Sequence, residues 1–172
     1  FCLSRGLGDV YKRQPEEWTI ISNGPVTWEG DVASTAIDYP LSTYLVALCA
    51  GPYHEVTDTW RGELTAHPEG KPAQKLEVPL GIYCRASLAH ALDAERLFTE
   101  TKQGFDFYHR NFGFPYPFGK YDQIFVPEFN AGAMENAGCV TIRDEYVFTS
   151  QATHYKYERR ADTVPVSYTH LT

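Results

Sequence analysis

The sequence has few of the features that would place a protein in a membrane or on a nucleic acid. None of its 172 residues falls in an apolar run of about 20, the length that crosses a bilayer, and no signal peptide is recognisable. It carries 15 basic residues against 22 acidic ones, a formal charge of -7, whereas a surface that binds phosphates must be basic. We therefore expect neither a membrane nor a nucleic acid as partner.

Cysteine is also scarce, and its spacing excludes two kinds of site. The four cysteines, Cys2, Cys49, Cys84 and Cys139, lie far apart and form no C-x-x-C pair. This spacing argues against a disulfide framework and against a cysteine-rich metal site. Isolated cysteines in apolar runs are usually small buried hydrophobes. We expect reduced thiols and a cytoplasmic location.

The two ends of the chain lack the pattern of the interior. Residues 1–14 (FCLSRGLGDVYKRQ) and 165–172 (PVSYTHLT) resemble translated adapter or vector sequence. Such segments are excluded from reasoning about the fold, which leaves residues 15–164 as the protein proper. A natural disordered terminus is the alternative interpretation.

The first half of the interior has the signals of an antiparallel β module. Short runs rich in β-branched, aromatic and apolar residues alternate with turn clusters such as Asn23-Gly24-Pro25 and the Pro/Gly-rich segment His67–Lys75. Pro79 is expected at an edge or a bend, since proline cannot donate to a central ladder. The predicted strands are Thr19–Ser22, Tyr44–Ala50, Tyr53–Trp60 and Leu76–Ile82.

The second half adds helices to strands, so the fold class is predicted to be α+β. Asp93 is a plausible N-cap and Gly113 a plausible C′ residue of a helix of about 19 residues. Its aromatic stripe has helical spacing and should pack in the core; the stripe is Ala94, Phe98, Thr101, Phe105, Tyr108 and Phe112. Strands Gln123–Pro127 and Cys139–Arg143 should flank a loop, Asn130–Gly138, before a helical segment, His154–Val164.

That loop contains the residues with the clearest chemistry, Gly132-Ala133-Met134-Glu135-Asn136. Gly132, Ala133 and Gly138 leave the backbone almost bare, so an extended peptide could pair with it as an added strand. The Glu135 carboxylate would then bind an ammonium group at the head of the cleft through a charge-assisted bond. Such a cleft accepts the start of a chain and excludes its middle. On residue types alone, a tight loop with a solvated glutamate is the favoured interpretation.

The pentapeptide GAMEN and its surroundings resemble the M1 family of zinc aminopeptidases, in the actinobacterial type of aminopeptidase N. The likeness includes FGFPYPFGKYDQIFVPEFNAGAMENAGCVTIRDEYVF, extends back through LDAERLFTETKQGFDFY and WTIISNG, and covers residues 15–164. It implies that residues 15–78 end a β-sandwich-like N-terminal domain and that residues 79–164 open a thermolysin-like catalytic domain.

The resemblance also assigns roles within the motif. It implies that Glu135 binds the α-amino group of the substrate and that the backbone of Gly132 and Ala133 lines the path of the peptide. Met134 and Asn136 would shape and hold the loop. Glu128 precedes the motif as in relatives, without a firm role.

In the M1 family a helix bearing His-Glu-x-x-His follows the motif and, with a later glutamate, binds Zn²⁺. This sequence lacks that helix, so we expect no metal ligand and no catalytic residue in the chain, and no activity from the chain alone. His154 and Glu158 stand four residues apart but suit a metal only formally. His54 and His109 lie in unrelated segments and are expected to be ordinary packed or solvated residues.

The implied function of the whole protein is removal of N-terminal residues from peptides with a free N-terminus. Two other classes stay open at this point. A non-catalytic M1-like scaffold that binds proteins would have a degenerate zinc motif downstream. An epoxide hydrolase of the same family is the second, and the form of the GAMEN loop favours the plain aminopeptidases over it only weakly.

Overall fold

The computed structural model describes the backbone of residues 9–12, 18–64 and 73–169, and the side chains of residues 18–64 and 73–164. Strands and helices are mixed along the chain, which confirms the α+β class. The strands are β1 (Asp9–Lys12), β2 (Thr19–Ser22), β3 (Val26–Glu29), β4 (Val32–Thr35), β5 (Leu48–Gly51), β6 (Tyr53–Leu64), β7 (Gln74–Arg85), β8 (Tyr121–Val126), β9 (Ala133–Met134) and β10 (Cys139–Arg143). The α-helices are α1 (Ala94–Phe112) and α2 (His154–Thr169).

A five-stranded mixed sheet forms the centre of the fold, in the order β6-β7-β8-β10-β9. β6 and β7 pair antiparallel, β7 pairs parallel with β8, and β8 pairs parallel with β10. Helix α1 makes the crossover between β7 and β8 that a parallel pair requires. The central strands β8 and β10 are almost entirely buried, as expected for strands covered on both faces. β9 closes the sheet on one side and places the motif at its edge.

Helix α1 has the predicted bounds, but the line of side chains that it buries differs from the prediction. Phe98, Thr101 and Phe105 are buried as expected. From Phe105 the buried line continues to His109, a step of four, so Tyr108 is only partly buried and Phe112 is 66% exposed. Inclusion of Phe112 in the core stripe was therefore wrong, because the stripe rotates away from it in the last turn of the helix.

Both ends of α1 lie at the predicted residues, Asp93 and Gly113. Gly113 adopts the left-handed conformation at φ 62°, which confirms it as the residue that ends the helix. Asp93 stands at the N-cap but makes no side-chain capping bond. Its carboxylate instead accepts a hydrogen bond of 3.4 Å from Arg160 on α2. The start of α1 is therefore tied to the second helix.

The two smaller sheets are formed mainly by residues 18–51. β2 has the predicted bounds and pairs antiparallel with β5, and β4 pairs with both β1 and β3. The predicted strand Tyr44–Ala50 is wrong in its first half. Residues Thr43–Leu45 form a 3₁₀ turn with Tyr44 69% exposed, and β5 begins only at Leu48. A long apolar run was mistaken for a strand because its turn carries no glycine or proline.

Strand β7 runs through the predicted division between residues 78 and 79 without interruption. It shares its sheet with β6, on the N-terminal side of that division, and with β8 beyond it. The division into two domains stays a prediction. Pro79 lies next to Leu80, the first residue of β7 that pairs with β8, so it stands where the ladder on that side begins.

Parts of the two terminal segments that were predicted to be foreign have regular structure. Residues 9–12 pair with β4, and α2 continues to Thr169. The foreign origin of the segments stays a prediction. Residues 1–8, 13–17, 65–72 and 170–172 lie outside the described residues, and 67–72 of these belong to the predicted turn.

The described cysteines and helices bear on two further expectations. Cys49, Cys84 and Cys139 are free thiols, and the last two are buried. Burial raises the pKa of the Cys139 thiol well above its ordinary value. Cys2 lies outside the described residues. In the part of the chain that the structure describes, no helix is long and apolar enough to cross a membrane.

Candidate functional site

The first half of the motif is a strand and not part of a loop. Ala133 and Met134 form β9, opposite Ile142 and Thr141 of β10. The Arg143 backbone N–H donates to the Gly132 carbonyl over 3.1 Å, which extends the pairing by one residue. β10 occupies one side of β9, and β9 is the last strand in the sheet order. Its other side is where an extended peptide can add a strand.

Glu135 stands where this edge strand stops. The Asn136 backbone N–H donates to the Met134 carbonyl over 3.0 Å, so Glu135 is the central residue of a three-residue turn. The side chain of Glu135 is partly exposed. The Glu135 carboxylate is thus attached to the end of a pairing edge. An ammonium group at the start of an added strand would lie beside it.

Asn136 ties the motif to the neighbouring strand. Its side chain is 5% exposed, and its amide donates to Thr141 Oγ1 over 3.2 Å. Its carbonyl accepts a hydrogen bond of 3.0 Å from the Cys139 N–H, which closes a second turn before β10. These contacts hold Asn136 between the turn at Glu135 and strand β10. The family resemblance implies a restraint of this kind for Asn136.

The two glycines near the motif face different neighbours. A Cβ on Gly132 would meet only Tyr146 Oη, at 3.9 Å, so the backbone there is open to another chain. Gly138 is buried, has φ 71°, and a Cβ there would lie 2.5 Å from the Asn23 carbonyl oxygen. The expectation that Gly138 bares the backbone for a peptide was wrong, because it lets this chain's own residue 23 approach.

Asn23 is the contact residue that the sequence did not reveal. Its side-chain amide donates to the carbonyls of Ala137, over 2.8 Å, and Leu45, over 2.9 Å. Its Oδ1 accepts a hydrogen bond of 2.8 Å from the Ala47 N–H. The only signal of Asn23 in the sequence was a turn cluster with Gly24 and Pro25. The structure brings it, across 114 residues of chain, to the residue that follows the motif.

Helix α2 reaches the other end of the motif through Tyr146. Thr163 Oγ1 lies 3.3 Å from Tyr146 Oη, and that hydroxyl is the atom nearest to a Cβ built on Gly132. α2 is held to α1 by the buried Arg160, 1% exposed, which faces the carboxylates of Asp93 and Glu100 at 3.4 and 3.7 Å. A buried cation requires such partners.

A basic cleft of about 570 Å³ lies beside Tyr146. Two of its arginines form ion pairs of 2.7 Å, Arg85 with Asp144 and Arg143 with Glu145. Lys156 and Arg159 add positive charge to its wall.

The other acidic and histidine candidates have positions of their own. Glu128 is exposed and adopts φ 54°, a left-handed conformation that is uncommon outside glycine. His154 and Glu158 are both exposed and lie 3.2 Å apart. The His54 side chain, on β6, is also exposed.

His109 is a packed core histidine, as expected. Its Nδ1 lies 2.7 Å from the Phe105 carbonyl, and its Nε2 accepts a hydrogen bond of 3.2 Å from the Tyr116 N–H. The ring stacks on Trp60 with 4.5 Å between centroids. Desolvation lowers its pKa, so the ring is neutral, with the proton on Nδ1.

The described residues do not fit the zinc ion that the family resemblance implies. Among residues 18–64 and 73–164, no group of three or more His, Cys, Asp and Glu side chains is placed to hold a metal ion. What these residues offer is a pairing edge, a carboxylate at its end and a set of contacts that hold both. That the zinc ligands belong to other parts of the whole protein stays a prediction.

Comparison with known proteins gives consistent matches. Residues 97–170 match the Peptidase family M1 domain. The chain is 49% identical over 160 residues to aminopeptidase N of Streptomyces lividans, covering 92% of this chain and 17% of that protein. It is 34% identical over 136 residues to glutamyl aminopeptidase of Sus scrofa, covering 76% and 13%. With aminopeptidase N of Mus musculus it shares 38% identity over 88 residues, covering 51% and 9%.

The chain therefore spans less than a fifth of the length of these relatives. The family match begins within α1, includes all five motif residues and continues past Val164 to residue 170. It thus extends into the segment that was predicted to be foreign, without testing the origin of that segment.

Proposed function

Because this chain belongs to peptidase family M1, we propose that the protein of which it is a part is an aminopeptidase that removes N-terminal residues from peptides. The observation that carries the proposal is the position of Glu135, in a tight turn directly after the edge strand β9. The relatives it matches, from a bacterium and from mammals, are named as aminopeptidases.

The geometry supports one way for a peptide to bind. A strand that adds antiparallel to β9 begins beside Glu135 and runs past Ala133 towards Gly132. Its main chain would bond to the free edge of β9, and the open backbone at Gly132 would let it come close. Its α-ammonium would pair with the Glu135 carboxylate, and bonds between charged groups are the strong ones.

The same geometry selects the start of a chain. A peptide bond has no positive charge to offer Glu135, so an internal segment placed at the same register would leave this carboxylate without its cationic partner. A hydrogen bond to a charged group contributes about 1.5–3 kcal/mol, against about 0.5–1.5 kcal/mol for one more backbone hydrogen bond, so the free N-terminus is preferred. Removal of residues one at a time from the N-terminus follows from this preference.

The proposal extends to the whole protein in two respects. The whole protein is proposed to hold a zinc ion through residues other than those described. Its proposed location is the cytoplasm. The chain alone is proposed to be inactive. The test is an aminoacyl arylamide assay on the purified chain, in which hydrolysis abolished by Glu135→Ala would contradict the proposed inactivity.

The decisive test compares two glutamates in the full-length protein. Glu135→Gln keeps the shape of the side chain and removes its charge, so the Michaelis constant for an aminoacyl arylamide should rise by about 10- to 150-fold, the range for a hydrogen bond to a charged group. Glu128→Gln removes an exposed charge seven residues earlier and is the matched control, with an expected change below about twofold.

Unchanged Michaelis constants in Glu135→Gln, with the thermal midpoint preserved, would exclude Glu135 as the group that binds the amine. An amine-containing competitive inhibitor gives the same answer at equilibrium. Its dissociation constant should rise in parallel with the Michaelis constant in Glu135→Gln and stay constant in Glu128→Gln.

A further inference from the structure

We infer that Asn23 is a positioning residue for the Glu135 carboxylate, acting through the carbonyl of Ala137. The inference rests on the proposed function, since it concerns the same amine-binding group. Asn23 lies in the turn after β2, far from the motif in sequence, and has no place among the motif residues. The structure nevertheless puts its side chain against the residue that follows Asn136.

Both hydrogens and the oxygen of the Asn23 side-chain amide make hydrogen bonds. Its amide nitrogen has two hydrogens, one for the Ala137 carbonyl and one for the Leu45 carbonyl, and its oxygen accepts from the Ala47 N–H. The three distances fall between 2.8 and 2.9 Å. Asn23 is 5% exposed, and a buried amide with three satisfied bonds has a single orientation.

The Ala137 carbonyl has little freedom to find another partner. Ala137 is fully buried, so loss of the Asn23 amide would leave its carbonyl unpaired away from water. The neighbouring Gly138 packs against the Asn23 backbone oxygen, at a separation that excludes even a methyl group. Side chain and backbone of Asn23 thus hold two successive residues of the turn.

This turn is connected to Glu135 through Asn136. Ala137 and Gly138 lie within the turn that the Asn136 carbonyl closes with the Cys139 N–H. Asn136 in turn closes the three-residue turn around Glu135 through its own N–H. A shift of the Ala137 carbonyl therefore moves Asn136, and a shift of Asn136 changes the direction of the carboxylate. A displacement of about 1 Å at a reacting group can lower the reaction rate by about two orders of magnitude.

Ser22 provides the matched control, because it is the adjacent residue and equally buried. Its hydroxyl donates to the Ala47 carbonyl over 2.9 Å, on the side of the Asn23 bridge that faces residues 45–47. Ser22→Ala removes a buried hydrogen bond at the same strand end and leaves the Ala137 contact in place. It reports the effect of local destabilisation alone.

The experiment measures aminoacyl arylamide hydrolysis and thermal midpoints in the full-length protein. Asn23→Ala should raise the Michaelis constant about tenfold, the equivalent of one well-placed hydrogen bond, with a smaller change in kcat. Asn23→Asp should do at least as much, because it keeps the acceptor for Ala47 and turns the donor towards Ala137 into an acceptor. Ser22→Ala should leave the Michaelis constant within about twofold of the parent.

Three results have distinct meanings. Equal Michaelis constants in Asn23→Ala, Ser22→Ala and the parent would overturn the inference while leaving Glu135 in its role. An unchanged Michaelis constant in Glu135→Gln would overturn the proposed function, and this inference with it. If Asn23→Ala fails to fold, the same comparison is made with Asn23→Ser, which keeps a buried hydroxyl, and a Michaelis constant equal to that of Ser22→Ala overturns the inference.

Discussion

The glycine at position 138 gives a quantitative test of how closely residues 23 and 138 pack. An alanine there meets two separate penalties. The first is the left-handed conformation at φ 71°, which costs an L-residue about 1–2 kcal/mol and is partly offset by the lower entropy of the unfolded chain, about 0.4–1 kcal/mol. The second is steric, since the Cβ would stand 2.5 Å from the backbone oxygen of Asn23.

Gly30 separates the two penalties. It has φ 59°, close to that of Gly138, but a Cβ built there has no atom within 4 Å. Gly30→Ala should therefore cost about 0.5–1 kcal/mol, the strain less the entropy offset, with no steric penalty. Gly138→Ala adds a forced backbone shift, for which overpacking of a core costs about 1–3 kcal/mol, so its total should reach about 1.5–4 kcal/mol.

The assay is unfolding of the chain in urea, monitored by tryptophan fluorescence, with Trp60 as the buried reporter. Gly119→Ala is the baseline, because that site has open space and no left-handed φ. The free energy of unfolding should fall in the order Gly119→Ala, Gly30→Ala, Gly138→Ala. If the last two variants agree within about 0.5 kcal/mol, the close contact of Gly138 with Asn23 is refuted.

Two further predictions concern buried charges. Glu100→Ala should lower the free energy of unfolding by about 3 kcal/mol, because Arg160 is buried and would keep only Asp93, whose more exposed carboxylate is better screened by water. Arg160→Met should cost clearly less, since Glu100 retains its ion pair with Arg96, and the reverse order in urea unfolding would contradict this reasoning. Desolvation raises the pKa of Asp122 above 3.8 in spite of its ion pair with Lys120, so the folded state holds this proton more tightly than the unfolded one. The contribution of Asp122 to stability should therefore fall as the pH rises above 3.8. The thermal midpoint of the Asp122→Asn variant, measured over the same rise in pH, should lack that decline.

Local signals predicted the second half of the fold well. Gly113 ends α1 because the left-handed C′ position has a strong residue preference, whereas Asp93 stands at the predicted N-cap without making a capping bond. β10 has the predicted bounds, since a short apolar run between glycine and charged residues fits a buried strand. The motif residues were predicted from a pentapeptide, whose chemistry is local.

The failures have a common physical origin in contacts between distant residues. Tyr44–Ala50 is apolar, but Asn23 binds the backbone at Leu45 and Ala47, and the chain turns before β5. Ala133–Met134 is too short to be predicted as a strand and exists because β10 offers it a partner. A sequence pattern contains the propensity of a segment and not the identity of its partner.

The arrangement of the edge explains why so much of the chain is needed to present one carboxylate. A strand of two residues has too few hydrogen bonds to fix itself, so β9 must be held from outside. β10 holds its inner side, Tyr146 stands against Gly132 at its start, and the turn after Glu135 is held by Asn23. The free side of β9 is then a pairing edge whose direction and end point are both fixed. Since a short edge strand also resists unwanted pairing, the same shortness that requires these supports would restrict the proposed site to a peptide whose ammonium reaches Glu135.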